Sequence, residues 1–185
     1  MSLRVSAWRR GQTLVGSAAL LLMLLVSANA VATNTATPFG FVPPSFLGAA
    51  TVSHNLLGAN FVFLARARTQ HALLMISTMH VATVRRELGP LSAARCVALF
   101  QQELGRSHAR FFPLPVPEPL AVGSGQFTQV RWTAHKDDHT ETGALACGQL
   151  GDRYYVVHFA DELKSAIVTF PSIRAALAAL RPKPE

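Results

Sequence analysis

The chain has 185 residues, half of them hydrophobic, with 17 Lys and Arg against 10 Asp and Glu and a net charge of +7. Arg4, Arg9 and Arg10 are the basic residues of the first 32 positions, which hold no acidic one, so the 14 Lys and Arg that follow face 10 acids and leave +4. Scattered without a Lys/Arg cluster, that charge excludes a nucleic-acid-binding face, which needs its basic side chains gathered on one surface.

An apolar run from Leu14 to Val26 follows the basic start and leads to Ala28-Asn29-Ala30 and Ala30-Val31-Ala32. A basic region, a leucine-rich core and a small-x-small exit are the layout of a secretory signal peptide, so residues 1–32 are expected to be one, cleaved after Ala30 or Ala32. The competing expectation is an uncleaved anchor, against which Gly16, Ser17 and Ser27 interrupt a run already short for a span. After cleavage no stable membrane span remains, and the expected location is the periplasm or the cell exterior. The 153 residues after position 32 make one ordinary domain. Its two cysteines, Cys96 and Cys147, are expected to pair in an oxidising compartment, with two separate buried thiols as the alternative.

Residues 33–45, small, polar and proline-bearing, read as a flexible lead whose end Phe39, Phe41 and Phe46 tie to the core. Residues 46–185 form the domain. From Phe46 to Leu57 a strand and a short helix fit the pattern equally. Phe61–Arg68 and Ala72–Val81 read as a hairpin whose apolar residues fall on both faces, which asks for cover on both sides. Met75 and Met79 share a strand face, so they are core residues in preference to a soft copper site with His80. Thr83–Gly89 is a polar connection, and Leu91 to Leu104 is an amphipathic helix that sets Cys96, Leu99 and Phe100 towards the sheet. Phe111–Pro119, with Pro113, Pro115, Pro117 and Pro119, reads as a stiff polyproline-like strap from the helix back to the sheet, or less well as a proline-rich ligand. Pro171 marks the first turn of a closing helix that buries Ile173, Ala176, Leu177 and Leu180.

The richest stretch is Gln126–Ala160, three runs of β-branched and aromatic residues broken at Lys136–Gly143 and at Gly151-Asp152-Arg153, hence an antiparallel meander. In its last hairpin a three-residue turn would pair Cys147 with Tyr155 and keep one face apolar, whereas a two-residue Gly151-Asp152 turn would pair Cys147 with Val156 and Leu145 with His158. The apolar pattern favours the first, which buries Cys147 as a structural residue and turns His158 away from it. A catalytic thiolate wants a partly exposed, electropositive setting. No phosphate loop, dinucleotide fingerprint, HExxH motif or Ser/His/Asp order is present. No catalytic residue and no cofactor is assigned. His135-Lys136-Asp137-Asp138-His139 is the densest polar cluster; a hairpin turn explains it better than a metal site, for which His135 and His139 are weak candidates.

The Leu91–Leu104 helix, the Gly151-Asp152-Arg153-Tyr154-Tyr155 hairpin and the Phe170–Leu180 helix resemble, in their order along the chain, the PsbP/Mog1-type sandwich of small exported bacterial proteins. The resemblance implies an α+β domain, an antiparallel β-sheet flanked by helices as an α/β/α sandwich, and a binding or accessory role with no particular catalytic residue. The expectation is therefore an exported, non-enzymatic protein acting on a protein partner in the periplasm or envelope, with immunity or inhibition of a toxin as a special case. Its candidate partner-binding residues are His135, Lys136, Asp137, Asp138, His139, Glu141, Asp152 and Arg153. The alternative is a small periplasmic hydrolase or metal-handling protein using the His135–His139 loop.

Overall fold

The computed structural model describes residues 37–67, 70–108, 110–135 and 138–183. The expected signal segment 1–32, the first residues of the expected lead, and Lys136 and Asp137 lie outside the described residues. The described part of the lead is fastened: β1 (Phe39–Gly40) pairs with β10 (Arg181–Pro182) at the other end of the domain. The Phe39 ring packs edge-on against Phe61 at 5.0 Å between centroids.

The segment left open between strand and helix is a strand, β2 (Thr51–His54), reached after a lone bridge between Leu47 and Ala65. It pairs with β3 (Gly58–Leu64), which forms the expected hairpin with β4 (Leu73–His80). The chain then enters α1 (Val81–Leu88), where sequence reasoning expected only a polar connection. Its single buried residue is Val84, so almost no apolar stripe marks it, but Arg85 and Arg86 suit its C-terminal turn and Gly89 closes it at φ 73°. The next helix, α2 (Ala93–Ser107), is capped by the Ser92 side chain, which accepts from Arg95 N, and buries Cys96, Val97, Phe100 and Leu104.

The proline-rich segment is an edge strand in two pieces, not a free strap. β5 (Phe111–Pro113) and β6 (Glu118–Val122) lie end to end along one side of β7 (Gly125–His135). Leu114 N still donates to Arg131 O at 2.8 Å before the chain bows out. Proline is compatible with a strand whose outer side pairs with nothing, which is where Pro113 and Pro119 sit, while Pro115 and Pro117 fall in the bow between the two pieces.

β7, β8 (Thr140–Leu150) and β9 (Arg153–Glu162) form the meander. Its last turn is the two-residue one: Leu150 pairs with Arg153, Cys147 with Val156 and Leu145 with His158, and Gly151 takes φ 59°. The expected pairing of Cys147 with Tyr155 is overturned, and Tyr155 lies on the other face. The apolar argument failed because both faces of this sheet are covered, so alternation in Tyr154–Ala160 no longer names one buried side. The final helix, α3 (Leu163–Ala178), starts eight residues before Pro171 and runs through it. Pro171 is exposed, so the hydrogen bond it omits opens towards water, while Phe170 packs inward edge-on against Phe159 at 4.9 Å.

The result is an eight-stranded antiparallel sheet, in the order β2-β3-β4-β9-β8-β7 with β5 and β6 at the edge, and a helix layer on each face: the expected α+β sandwich. On one face Phe61, Ile76, Phe127, Tyr155 and Val157 meet Ile173 and Leu177 of α3. On the other, Met79, Val130, Trp132, Leu145 and Val156 lie with Val84, Val97, Phe100 and Leu104 of α1 and α2. The Cys96–Cys147 disulfide ties α2 to β8 within this second core, with the two Cα atoms 6.1 Å apart.

Candidate functional site

The end of the sheet where β7 and β9 finish and β4 and β8 begin collects five of the seven histidines: His71, His108, His135, His139 and His158. The cause is register. Leu73 faces Ala160 and Glu141 faces Glu162, so the chain just before β4 brings His71 level with Glu162, on the side of the sheet covered by α2. α2 ends above this row and delivers His108, whose Nδ1 lies 3.0 Å from Leu104 O and 2.9 Å from Ser107 Oγ.

An outer group is built on Glu162. His71 Nε2 is 3.1 Å from Glu162 Oε1 and Lys164 Nζ is 2.7 Å from Glu162 Oε2. The Lys164 hydrogen bond is the largest influence holding the Glu162 carboxyl below its ordinary range, and the same bond raises the Lys164 ammonium. The His71 and His139 rings are 5.3 Å apart. His139 Nδ1 is 2.6 Å from Asp138 Oδ1, a hydrogen bond that more than any other influence holds the Asp138 carboxyl low. Its other nitrogen, Nε2, is buried and has no hydrogen-bond partner among the described residues. His71 Nε2, a His139 ring nitrogen and a Glu162 carboxylate oxygen lie within 4.8 Å of one another, so these three residues could hold a metal ion.

An inner group is built on Trp132. Its ring lies between His108 and His158, at 5.3 and 5.7 Å. There is room for it because the residue opposite on β8 is Gly143, where a Cβ would fall 2.4 Å from the indole. His108 Nε2 is 3.5 Å from Glu141 Oε2. His158 is fully enclosed, and burial first, then the nearby His108 charge, push it down to about 4, with Glu141 pulling the other way. At neutral pH it is an uncharged imidazole.

The unfolded chain therefore takes up the His158 proton at about pH 6.5 and the folded chain only near pH 4. A depressed histidine costs stability as the pH falls through that window, because the proton binds the unfolded state first. Lowering the pH from 7 to 4.5 is expected to cost about 2 kcal/mol through this residue, seen as a falling urea midpoint, and His158→Phe to flatten the dependence. A wild-type midpoint that does not move between those pH values would contradict the assignment.

Of the residues expected to form a rim, His135 and Asp138 are exposed, His139 is half-buried and Glu141 is buried under His108. His135 bonds Thr140 Oγ1 through Nδ1 at 3.0 Å and stands against Phe112 at 5.7 Å between centroids; it is not in the three-ligand group. Asp152 and Arg153 sit at the far end of β8, roughly 34 Å away at strand rise. There Asp152 Oδ2 is 3.5 Å from His80 Nδ1, and Arg153 and His80 line a cleft of about 460 Å³ with His54, Asn55 and Thr78. The two ends do not make one surface. His71, His158 and Glu162 were missed because β4 pairs with β9 from Leu73 opposite Ala160, and His108 because it comes from the end of α2; no local spacing encodes that neighbourhood. Among the described residues no helix is long and apolar enough to cross a membrane.

The chain matches no protein-family model and no curated protein sequence. Among solved structures it is similar to LpqN, a protein involved in cell envelope biogenesis of Mycobacterium tuberculosis, with a TM-score of 0.51 and 10% sequence identity over 79% of this chain and 83% of LpqN. At that identity the likeness is one of fold. It bears out the α+β element order and does not confirm the PsbP/Mog1 family.

Proposed function

We propose that the chain is an exported, non-enzymatic accessory protein of the cell envelope that binds a protein partner through the rim at His135–Glu141 and the edge strand beside it. The envelope assignment is supported by the fold shared with LpqN, by a disulfide that suits an oxidising compartment, and by the signal-like start of the sequence. The observation that carries the partner surface is the edge itself. Phe112, Leu114 and Val116, alternate residues of one segment, are 52, 43 and 69% exposed, and Phe112 touches His135. A contiguous exposed apolar row bordered by polar groups is the composition of an interaction site.

A photo-crosslinking residue placed at Leu114 or Val116 in cells is expected to give a discrete covalent adduct of one partner, and the same residue at Ala82, on α1, to give none. Phe112→Asp combined with Val116→Asp is expected to abolish the adduct formed from Leu114 while leaving the melting temperature within about 2 °C, as exposed substitutions do. No adduct from either edge position would reject this surface. Identification of the adduct separates an envelope component from a toxin.

A further inference from the structure

We propose that His71, His139 and Glu162 form a binding site for a divalent transition-metal ion of the zinc class, with His71 Nε2, His139 Nε2 and a Glu162 oxygen as ligands and water in a fourth position. Ligand chemistry comes first. Two imidazoles and one carboxylate suit zinc and its neighbours in the first transition row, whereas magnesium and calcium take oxygen ligands almost exclusively. The geometry is close to what such an ion needs. With bonds of about 2.0–2.2 Å, the edge of a tetrahedron is roughly 3.4 Å. His71 Nε2 and Glu162 Oε1 already stand 3.1 Å apart, and a ring nitrogen of His139 lies within 4.8 Å of the donors of the other two residues, so closure asks for a side-chain adjustment and no change of fold.

A network of surface ion pairs would account for His71 with Glu162 and for His139 with Asp138, but not for the remaining nitrogen. His139 Nε2 is out of water and has no donor or acceptor among the described residues, although leaving a buried polar atom unmet is destabilising. Its orientation has a definite cause. Asp138 holds Nδ1 at 2.6 Å, which fixes the ring and, in the neutral imidazole, leaves the lone pair on Nε2, the arrangement of carboxylate–histidine pairs behind metal ligands. Glu162 is likewise steadied, by Lys164 on the oxygen that does not face His71. The three ligands come from three separate chain segments, at the start of β4, before β8 and at the end of β9, so an ion would staple the loop carrying His139 to the centre of the sheet.

The test is calorimetric titration of zinc chloride into the purified, metal-free protein at pH 7.5. One ion per chain is expected to bind with a dissociation constant of about 10 µM or tighter, the range in which three protein ligands outcompete scattered surface histidines. His139→Ala, His71→Ala and Glu162→Gln are each expected to weaken it by roughly 100-fold and Asp138→Asn by about 10-fold, while His135→Ala, at the end of β7, leaves it unchanged. The metal-free melting temperatures of His71→Ala and wild type, compared first, show that an exposed ligand was removed from a folded protein. Substitution by Co²⁺ is expected to give an absorption band of four- or five-coordinate intensity that disappears in His139→Ala. No heat at about 100 µM zinc overturns the site, as does binding that survives both His71→Ala and His139→Ala, or magnesium binding as tight as zinc.

Discussion

Replacing both Cys96 and Cys147 with alanine is expected to lower the unfolding free energy by about 4 kcal/mol, enough to consume a large share of the stability of a domain this size. The bond closes a loop with a sequence separation of 51, so its removal restores to the unfolded chain the freedom of α2, the edge strand, β7 and part of β8. Both sulfurs are buried between α2 and β8, and the alanines add a small loss of packing. The rest of the α2 interface, Val97, Phe100 and Leu104 against Trp132 and Leu145, remains, so the variant should fold and melt at a markedly lower temperature. Urea unfolding of the double variant beside wild type, each at pH 7, measures the difference. A loss below about 1 kcal/mol would mean that the unfolded chain is already compact across this loop.

The second large effect is expected at Gly148, near the end of β8. A Cβ there would lie 2.2 to 2.6 Å from three atoms of the Phe127 ring, the residue across from it on β7. The ring is buried and cannot swing out, so Gly148→Ala is expected to cost about 3 kcal/mol, the upper range of overpacking, although alanine is otherwise the better strand residue. Phe127→Ala alone removes a buried aromatic and is expected to cost roughly 3–5 kcal/mol. The double variant decides the cause. Because the two changes relieve one another, their combined cost should fall at least about 2 kcal/mol below the sum of the single costs. Strict additivity in thermal or urea unfolding would show that Gly148 is needed for its backbone and not for the room it leaves.

Gly143 under Trp132 and Gly148 under Phe127 also explain how far the sequence could be read. The meander, the hairpin before it, the helix from Ser92 onwards and the disulfide were all legible, since each rests on local pattern or on compartment chemistry. The break expected to run from Lys136 to Gly143 proved too long because glycine and polar residues normally signal a turn, yet β8 begins at Thr140 and uses Gly143 inside the strand. What made that glycine a strand residue is an indole on the neighbouring strand, which a local window does not contain. The same reason hid the imidazole row. His135 and His139 are close in sequence and looked like partners, whereas the fold gives His139 to His71, sixty-eight residues away. The closing helix was expected to begin at Pro171 because proline fits a first turn best, yet the helix starts at Leu163 and carries Pro171 in its interior on the side that faces water.

The prolines of the edge bear on what this sheet can join. A row of unpaired N–H and C=O groups invites another strand to add, either from a partner or from a second copy that starts a polymer. Pro113 in β5 and Pro119 in β6 each lack an amide on one border of the sheet, Pro115 and Pro117 lie in the bow between them, and β2, four residues long, offers little at the other border. The sheet is thus blunted at both borders against growth by strand addition. On the proposed reading, a partner that docks on this edge would grip the side chains of Phe112, Leu114 and Val116 in preference to the backbone, so its selectivity would follow their shapes.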